Sequence, residues 1–107
     1  MPIYNKLVRD RIPEIIEERG KALKSRILDE HEFHNEIRKK LHEELKEYES
    51  ANTNKYALEE LADLLELIHA AASIHGADFS EIESLRQIKA EKRGSFNKRV
   101  FLIEVDD

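Results

Sequence analysis

Cysteine is absent from this sequence, which excludes a disulfide framework and any thiolate metal site. A bound metal would rest on oxygen or histidine ligands, and oxygen ligands favour hard cations. Long apolar runs are absent too: nothing approaches the length needed to span a bilayer, and the opening MPIYNKLVRD lacks the apolar stretch of a signal peptide. The expectation is a soluble, cytoplasmic protein with no membrane partner. Glycine and proline number only three and two, and there is no internal repeat, low-complexity tract or flexible linker. A chain of 107 residues is the size of one domain with a modest core, so residues 1–107 are expected to fold as a single unit.

Positive charge is missing from one long region. Residues 56–85 contain no Lys or Arg, whereas Arg86, Lys89, Lys92, Arg93, Lys98 and Arg99 follow with only Glu91 among them. An acidic helix is thus followed by a basic end. The formal net charge of −5 argues against a nucleic-acid polymer as partner, since phosphate backbones are held by many Lys and Arg contacts.

The chain reads as mainly α. RDRIPEIIEERG is a short helix, with Asp10 as N-cap, Pro13 in the first turn and Gly20 at the left-handed position that ends it. Residues 21–28 suit a short extended segment. Asp29 and Glu32 form a capping box opening a helix to about Ser50. SANTN breaks it, and a second long helix is expected over residues 55–75, closed by Gly76. Asp78 and Glu81 open a last helix that ends at Gly94, and RVFLIEV is β-branched and aromatic enough for a strand. The expected architecture is an antiparallel bundle built on two long acidic helices and completed by oligomerisation, with a small β element from residues 21–28 and 98–105.

The acids fall in telling places. With Leu41 at zero and about 100° per residue, Phe33, Ile37, Leu45 and Tyr48 form a buried stripe, and Glu44 lies inside it at about −60°. Glu47 flanks the stripe at about −120° and Glu43 points away. With Leu61 at zero, Glu60 and Asp63 share one flank of the next helix, at about −100° and −160°. If the short connection makes the two helices antiparallel, both acid pairs can face one seam. Solvated glutamates on ordinary amphipathic helices would explain the first helix, where Lys39 and Lys40 are spaced to pair with Glu43 and Glu44. They explain the second less well, where Lys55 is spaced to pair only with Glu59, where Glu60, Asp63 and Glu66 have no basic residue three or four positions away, and where Glu59 repels Asp63 at i,i+4. Burying an unpaired carboxylate costs several kcal/mol or forces protonation, and a divalent cation removes both problems. Carboxylates between two helices therefore point to magnesium, with manganese as a substitute, shared with a phosphorylated ligand. The basic residues after residue 85 can neutralise phosphate charge that the metal does not reach, with Gly94 permitting a tight turn near the anion.

HEELKE followed by LEELAD resembles the EExxE and ExxD motifs of the MazG-like all-alpha nucleotide pyrophosphohydrolases, on Glu43, Glu44, Glu47, Glu60 and Asp63. YNKLVRDRIPEII and KRGSFNKRVFL look like the flanks of a small MazG-related, phosphoribosyl-ATP pyrophosphohydrolase-like subgroup, so the resemblance covers nearly the whole chain. It implies magnesium-dependent hydrolysis of a nucleoside triphosphate to the monophosphate and pyrophosphate, a house-cleaning role, with Glu44, Glu47, Glu60 and Asp63 as metal ligands. Glu43 or Glu47 is the candidate general base. Lys6, Arg9, Lys89, Arg93, Lys98 and Arg99 are the candidate substrate-binding residues. Base and sugar preference, α or β attack and the number of metal ions stay open, with Tyr4, Phe33, Phe79 and Phe96 as candidate stacking partners.

Two other readings compete. A non-catalytic, metal-dependent nucleotide-binding or helix-pairing module would keep the same acids without turnover. A di-iron carboxylate bundle is suggested by Glu66 and His69 in ELIH, yet it needs a second E-x-x-H and the sequence has none. His69, His31 and His34 are therefore expected to be solvated. On the Leu61 wheel the apolar arc runs from about −140° at Ile74 and Tyr56 to about +60° at Leu58, about twice what one partner helix covers. A homodimer or larger even assembly is expected to complete the bundle.

Overall fold

The structure, a computed structural model, describes residues 2–107. It contains four helices, α1 (Ile12–Glu18), α2 (Glu30–Ser50), α3 (Asn54–Ile74) and α4 (Phe79–Arg93). Among the described residues no helix is long and apolar enough to cross a membrane.

Local chemistry places most of the boundaries. Asp29 accepts from the Glu32 N–H at 2.8 Å while the Glu32 carboxylate accepts from the Asp29 N–H at 3.3 Å, so the capping box opens α2 as expected. Thr53 accepts from the Tyr56 N–H at 3.1 Å to open α3, and Asp78 accepts from the Glu81 N–H at 3.2 Å to open α4. Two helices close on left-handed glycines, Gly20 at φ +76° and Gly76 at φ +69°. At each, the following residue reaches back: Lys21 N–H to the Ile16 carbonyl, and Ala77 N–H to that of Ala72. The start of α1 differs from expectation. Its N-cap is Arg11, in helical backbone geometry and without a side-chain cap. The Ile12 N–H already bonds the Arg9 carbonyl at 3.1 Å, so the chain turns one residue early and Asp10 lies within that turn.

The expected β element does not form. Among the described residues there is no strand, and residues 21–28 and 98–105 run unpaired. β-propensity expresses how a side chain suits a pleated, half-buried surface, and one copy of this chain offers these segments none. Ile27 stays 95% exposed and Phe101 87%.

Helices α2 and α3, joined by Ala51, Asn52 and Thr53, fold back on each other and make the main packing contact, with α4 lying on α3. Helix α1 packs on none of them. Among the described residues, Ile37, Ala72 and Glu44 are buried. The far end of the α2 stripe is less covered than its pattern implies: Leu45 and Tyr48 are exposed, as are Leu58, Leu61, Leu65 and Ile68 of α3. The physical reason is the width of the apolar arc, which exceeds what α2 and α4 can cover. The chain exposes 10126 Å², against about 6,000 Å² for an ordinary folded monomer of its size. Its radius of gyration is 18.3 Å, where about 13 Å is usual for this length.

Candidate metal centre

The α2–α3 seam is where the acids converge. Helical spacing stacks Glu43, Glu44 and Glu47 on adjacent turns of α2, and Glu60 and Asp63 one turn apart on α3. The antiparallel pairing brings the two sets together. Glu44, Glu60 and Asp63 each offer a carboxylate oxygen within 4.8 Å of the others, and Glu43, Glu44 and Glu47 do the same. Glu44 belongs to both groups, so the seam holds two overlapping carboxylate triads. Glu47 is exposed and reaches Glu60 and Asp63 only by way of Glu44. Glu43, which the wheel places away from the seam, is half-buried and within ligand range of Glu44.

Glu44 is the unusual member. It is 8% exposed, and one of its oxygens, Oε2, is buried without a donor; Glu60 Oε2 is in the same condition. Burial pushes the Glu44 carboxyl up from 4.5 to about 7, reinforced by the neighbouring Glu60 carboxyl and by the negative charges of Glu47 and Asp63. Two orphaned carboxylate oxygens on acids of one cluster can be satisfied by a proton or by a cation. The donor set suits a hard divalent ion: all ligands are carboxylate oxygens, from two rigid helices, and no histidine joins either triad. That last observation also leaves the di-iron reading without a nitrogen ligand.

Only part of the expected cationic clamp meets the acids. The Arg9 guanidinium reaches across from the N-terminal arm and donates to Asp63 Oδ1 at 2.7 Å, with Glu66 Oε1 at 4.0 Å. It supplies a cation to two acids, Asp63 and Glu66, that have no basic residue three or four positions away in α3. The pair is exposed on both sides and worth no more than about 1 kcal/mol, and it touches neither Glu44 nor Glu60. Lys6 lies over the Tyr4 ring at 5.9 Å. Lys89, Arg93, Lys98 and Arg99 are exposed and, among the described residues, pair with no acid. An open groove runs along Arg86, Gln87, Ala90, Glu91, Gly94 and Ser95, and none of the acids of the seam lines it.

His69 is exposed, as expected, and His34 is less solvated than its position in the sequence suggests. His69 stacks on Phe79 with ring centroids 3.7 Å apart and planes 6° from parallel, which also occupies one face of a candidate stacking residue. The contact crosses the Gly76 turn, so no periodicity within one helix signals it. His34 is half-buried and edge-on to His75 at 5.8 Å, and burial, with the charges of Arg38, His75 and His31, lowers its pKa. The Arg9 contact had only a partial signal: Asp63 and Glu66 lack a basic partner at helical spacing, which does not say where one comes from. No family model, curated protein or solved structure matches this chain.

Proposed function

We propose that this protein is a magnesium-dependent nucleoside triphosphate pyrophosphohydrolase of the MazG-like type. The observation that carries the metal part is Glu44, buried with an orphaned oxygen opposite Glu60 and beside Asp63. The nucleotide part rests on the order and spacing of the acidic motifs and their flanks. Glu44, Glu60 and Asp63 would hold the ion from the inner triad, and Glu47 from the outer one. Bound magnesium, or manganese in its place, supplies charge neutralisation for the polyphosphate and acidifies the attacking water. Water adds to a phosphorus of the α–β bridge, the bridging P–O bond breaks, and nucleoside monophosphate and pyrophosphate leave. Glu43 or Glu47, at the outer edge of the seam, takes the proton released by the water. Arg9 is positioned to meet phosphate oxygens at the same edge, and Lys6, Lys89, Arg93, Lys98 and Arg99 are the further cations for that charge.

The uncovered surface supports an assembly. Leu58, Leu61, Leu65 and Ile68 of α3 are exposed on one chain, the kind of apolar face an obligate interface covers. A homodimer or larger even oligomer completing the bundle would cover Leu58, Leu61, Leu65 and Ile68. It would also bring a second set of basic residues towards the seam.

The deciding experiment incubates purified protein with a panel of nucleoside triphosphates, deoxy and modified forms included, with and without magnesium, and resolves products by chromatography. Magnesium-dependent monophosphate plus pyrophosphate is expected. The detached positions of Lys89, Arg93, Lys98 and Arg99 favour one alternative, a metal-dependent nucleotide-binding module without chemistry. Nucleotide binding with no turnover across the panel would establish that alternative in place of the enzyme.

A further inference from the structure

The contact between Arg9 and the seam bears on how the binding of metal and that of phosphate are coupled. Arg9 is tethered through its backbone, because its carbonyl accepts the Ile12 N–H at 3.1 Å at the start of α1. Its side chain is 58% exposed and, among the described residues, is held by acids of α3 alone. The guanidinium spans two acids one turn apart on α3. Asp63, at 2.7 Å, belongs to the inner carboxylate triad; Glu66, at 4.0 Å, does not. Arg9 thus sits with one partner inside the candidate metal site and one outside it.

We infer that Arg9 is a two-position counter-ion: it neutralises Asp63 while the seam holds no metal, and it transfers to the substrate polyphosphate once a divalent cation takes that carboxylate. This rests on the pyrophosphohydrolase reading. The exposure of the pair and the placing of Glu66 support it. The ion pair is exposed, so its net worth is small and a divalent ion drawn by three carboxylates can displace it. Glu66 remains beside Arg9 after the exchange and keeps the guanidinium at the mouth of the seam. The guanidinium fork then presents paired N–H groups to the edge where metal-bound phosphate arrives, a geometry that suits phosphate oxygens. One residue therefore acts with opposite signs, against the metal in the absence of substrate and in favour of phosphate once the metal is bound. Metal and phosphate then favour each other's binding.

The inference is testable without turnover. Free Mn2+ is titrated by electron paramagnetic resonance into wild-type protein, Arg9→Ala and Arg9→Lys at low ionic strength, and inorganic tripolyphosphate is then titrated by calorimetry at saturating Mn2+. Circular dichroism controls for folding, and α1 makes no helix–helix contact that the substitutions would disturb. Arg9→Ala is expected to bind Mn2+ about three- to tenfold more tightly than wild type, because a competing positive charge is gone. The same variant is expected to bind tripolyphosphate about tenfold more weakly. Arg9→Lys, which keeps the charge and loses the fork, should match wild type for Mn2+ and fall between the two for tripolyphosphate. Mn2+ affinity unchanged or weakened in Arg9→Ala would overturn the exchange, and weakening would make Arg9 an orienting partner of Asp63 instead. Wild-type protein that takes up no Mn2+ sinks the metal site itself and the exchange with it. Mn2+ uptake with no effect of Arg9 removes the exchange alone.

Discussion

The α2–α3 pair and the two chain ends are built on opposite terms. In the pair, helical spacing and a short connection hold negative charge in a fixed, partly dry seam, where Glu44 has no donor for Oε2. At the ends, positive charge rides on segments with little packing: Arg9 on the N-terminal arm, Lys98 and Arg99 on a tail that stays exposed. The difference teaches where pre-organisation lies. Metal ligands need positions fixed to within fractions of an ångström, which helices provide. Cations that meet a flexible polyphosphate can be supplied by mobile side chains, and the α3 acids depend on at least one of them.

The sharpest way to break the contrast is to remove an acid from the fixed side. Glu60→Ala or Asp63→Ala should lower magnesium-dependent turnover by about 100-fold or more, as loss of a metal ligand does, while the circular dichroism spectrum stays helical. Full activity in either variant would remove these residues from the site.

The apolar face of α3 is the next test. Leu65 is 48% exposed in the single chain. On a true surface Leu65→Lys would change stability by no more than about 0.5 kcal/mol. In a bundle interface it should dissociate the assembly and lower the melting temperature. Light scattering on wild type and variant separates the two, and a monomeric wild-type mass would exclude the interface.

Glu44 sharpens the comparison through pH. Its folded pKa, about 7, lies above its ordinary value of 4.5, so the folded state binds more protons across that window and stability falls as pH rises through it. The protonated seam is fully stabilised below pH 4.5 and loses about 3 kcal/mol by the time Glu44 is ionised. Urea denaturation in chelator should therefore show a less stable protein at pH 8 than at pH 5, and Glu44→Gln should flatten that slope. Saturating magnesium should restore stability at pH 8. A slope unchanged by Glu44→Gln would assign the titration to another group.

The smallest effect lies at the start of α2. Asp29→Ala removes the cap that accepts from Glu32 and should cost about 1 kcal/mol in denaturant unfolding, with no change in metal affinity. Glu32 itself is held down to about 2, first by the hydrogen bond from Arg26 and then by the Asp29 N–H. Its contribution is present above its ordinary 4.5 and is lost as pH falls through 2, opposite in sign to Glu44.

Most of the helical frame and the acid seam could be read from the residues, because both depend on periodicities that a helix imposes locally. Asp29 with Glu32 opens α2, Gly20 and Gly76 end helices, and the angle of about −60° for Glu44 put a carboxylate on a buried stripe. Asp10 failed as a cap because the Arg9–Ile12 hydrogen bond moves the turn, a one-residue competition that composition does not resolve. The strands expected over residues 21–28 and 98–105 failed because a strand exists only when another segment pairs with it. What the sequence by itself determined is the set of short-range features: helices, caps and which acids share a face. Tertiary structure alone decided that Arg9 reaches Asp63 across 54 residues, that His69 lies on Phe79, and that Leu45 and Tyr48 stay uncovered. Those outcomes depend on which segments of the folded chain meet, and no local pattern encodes that.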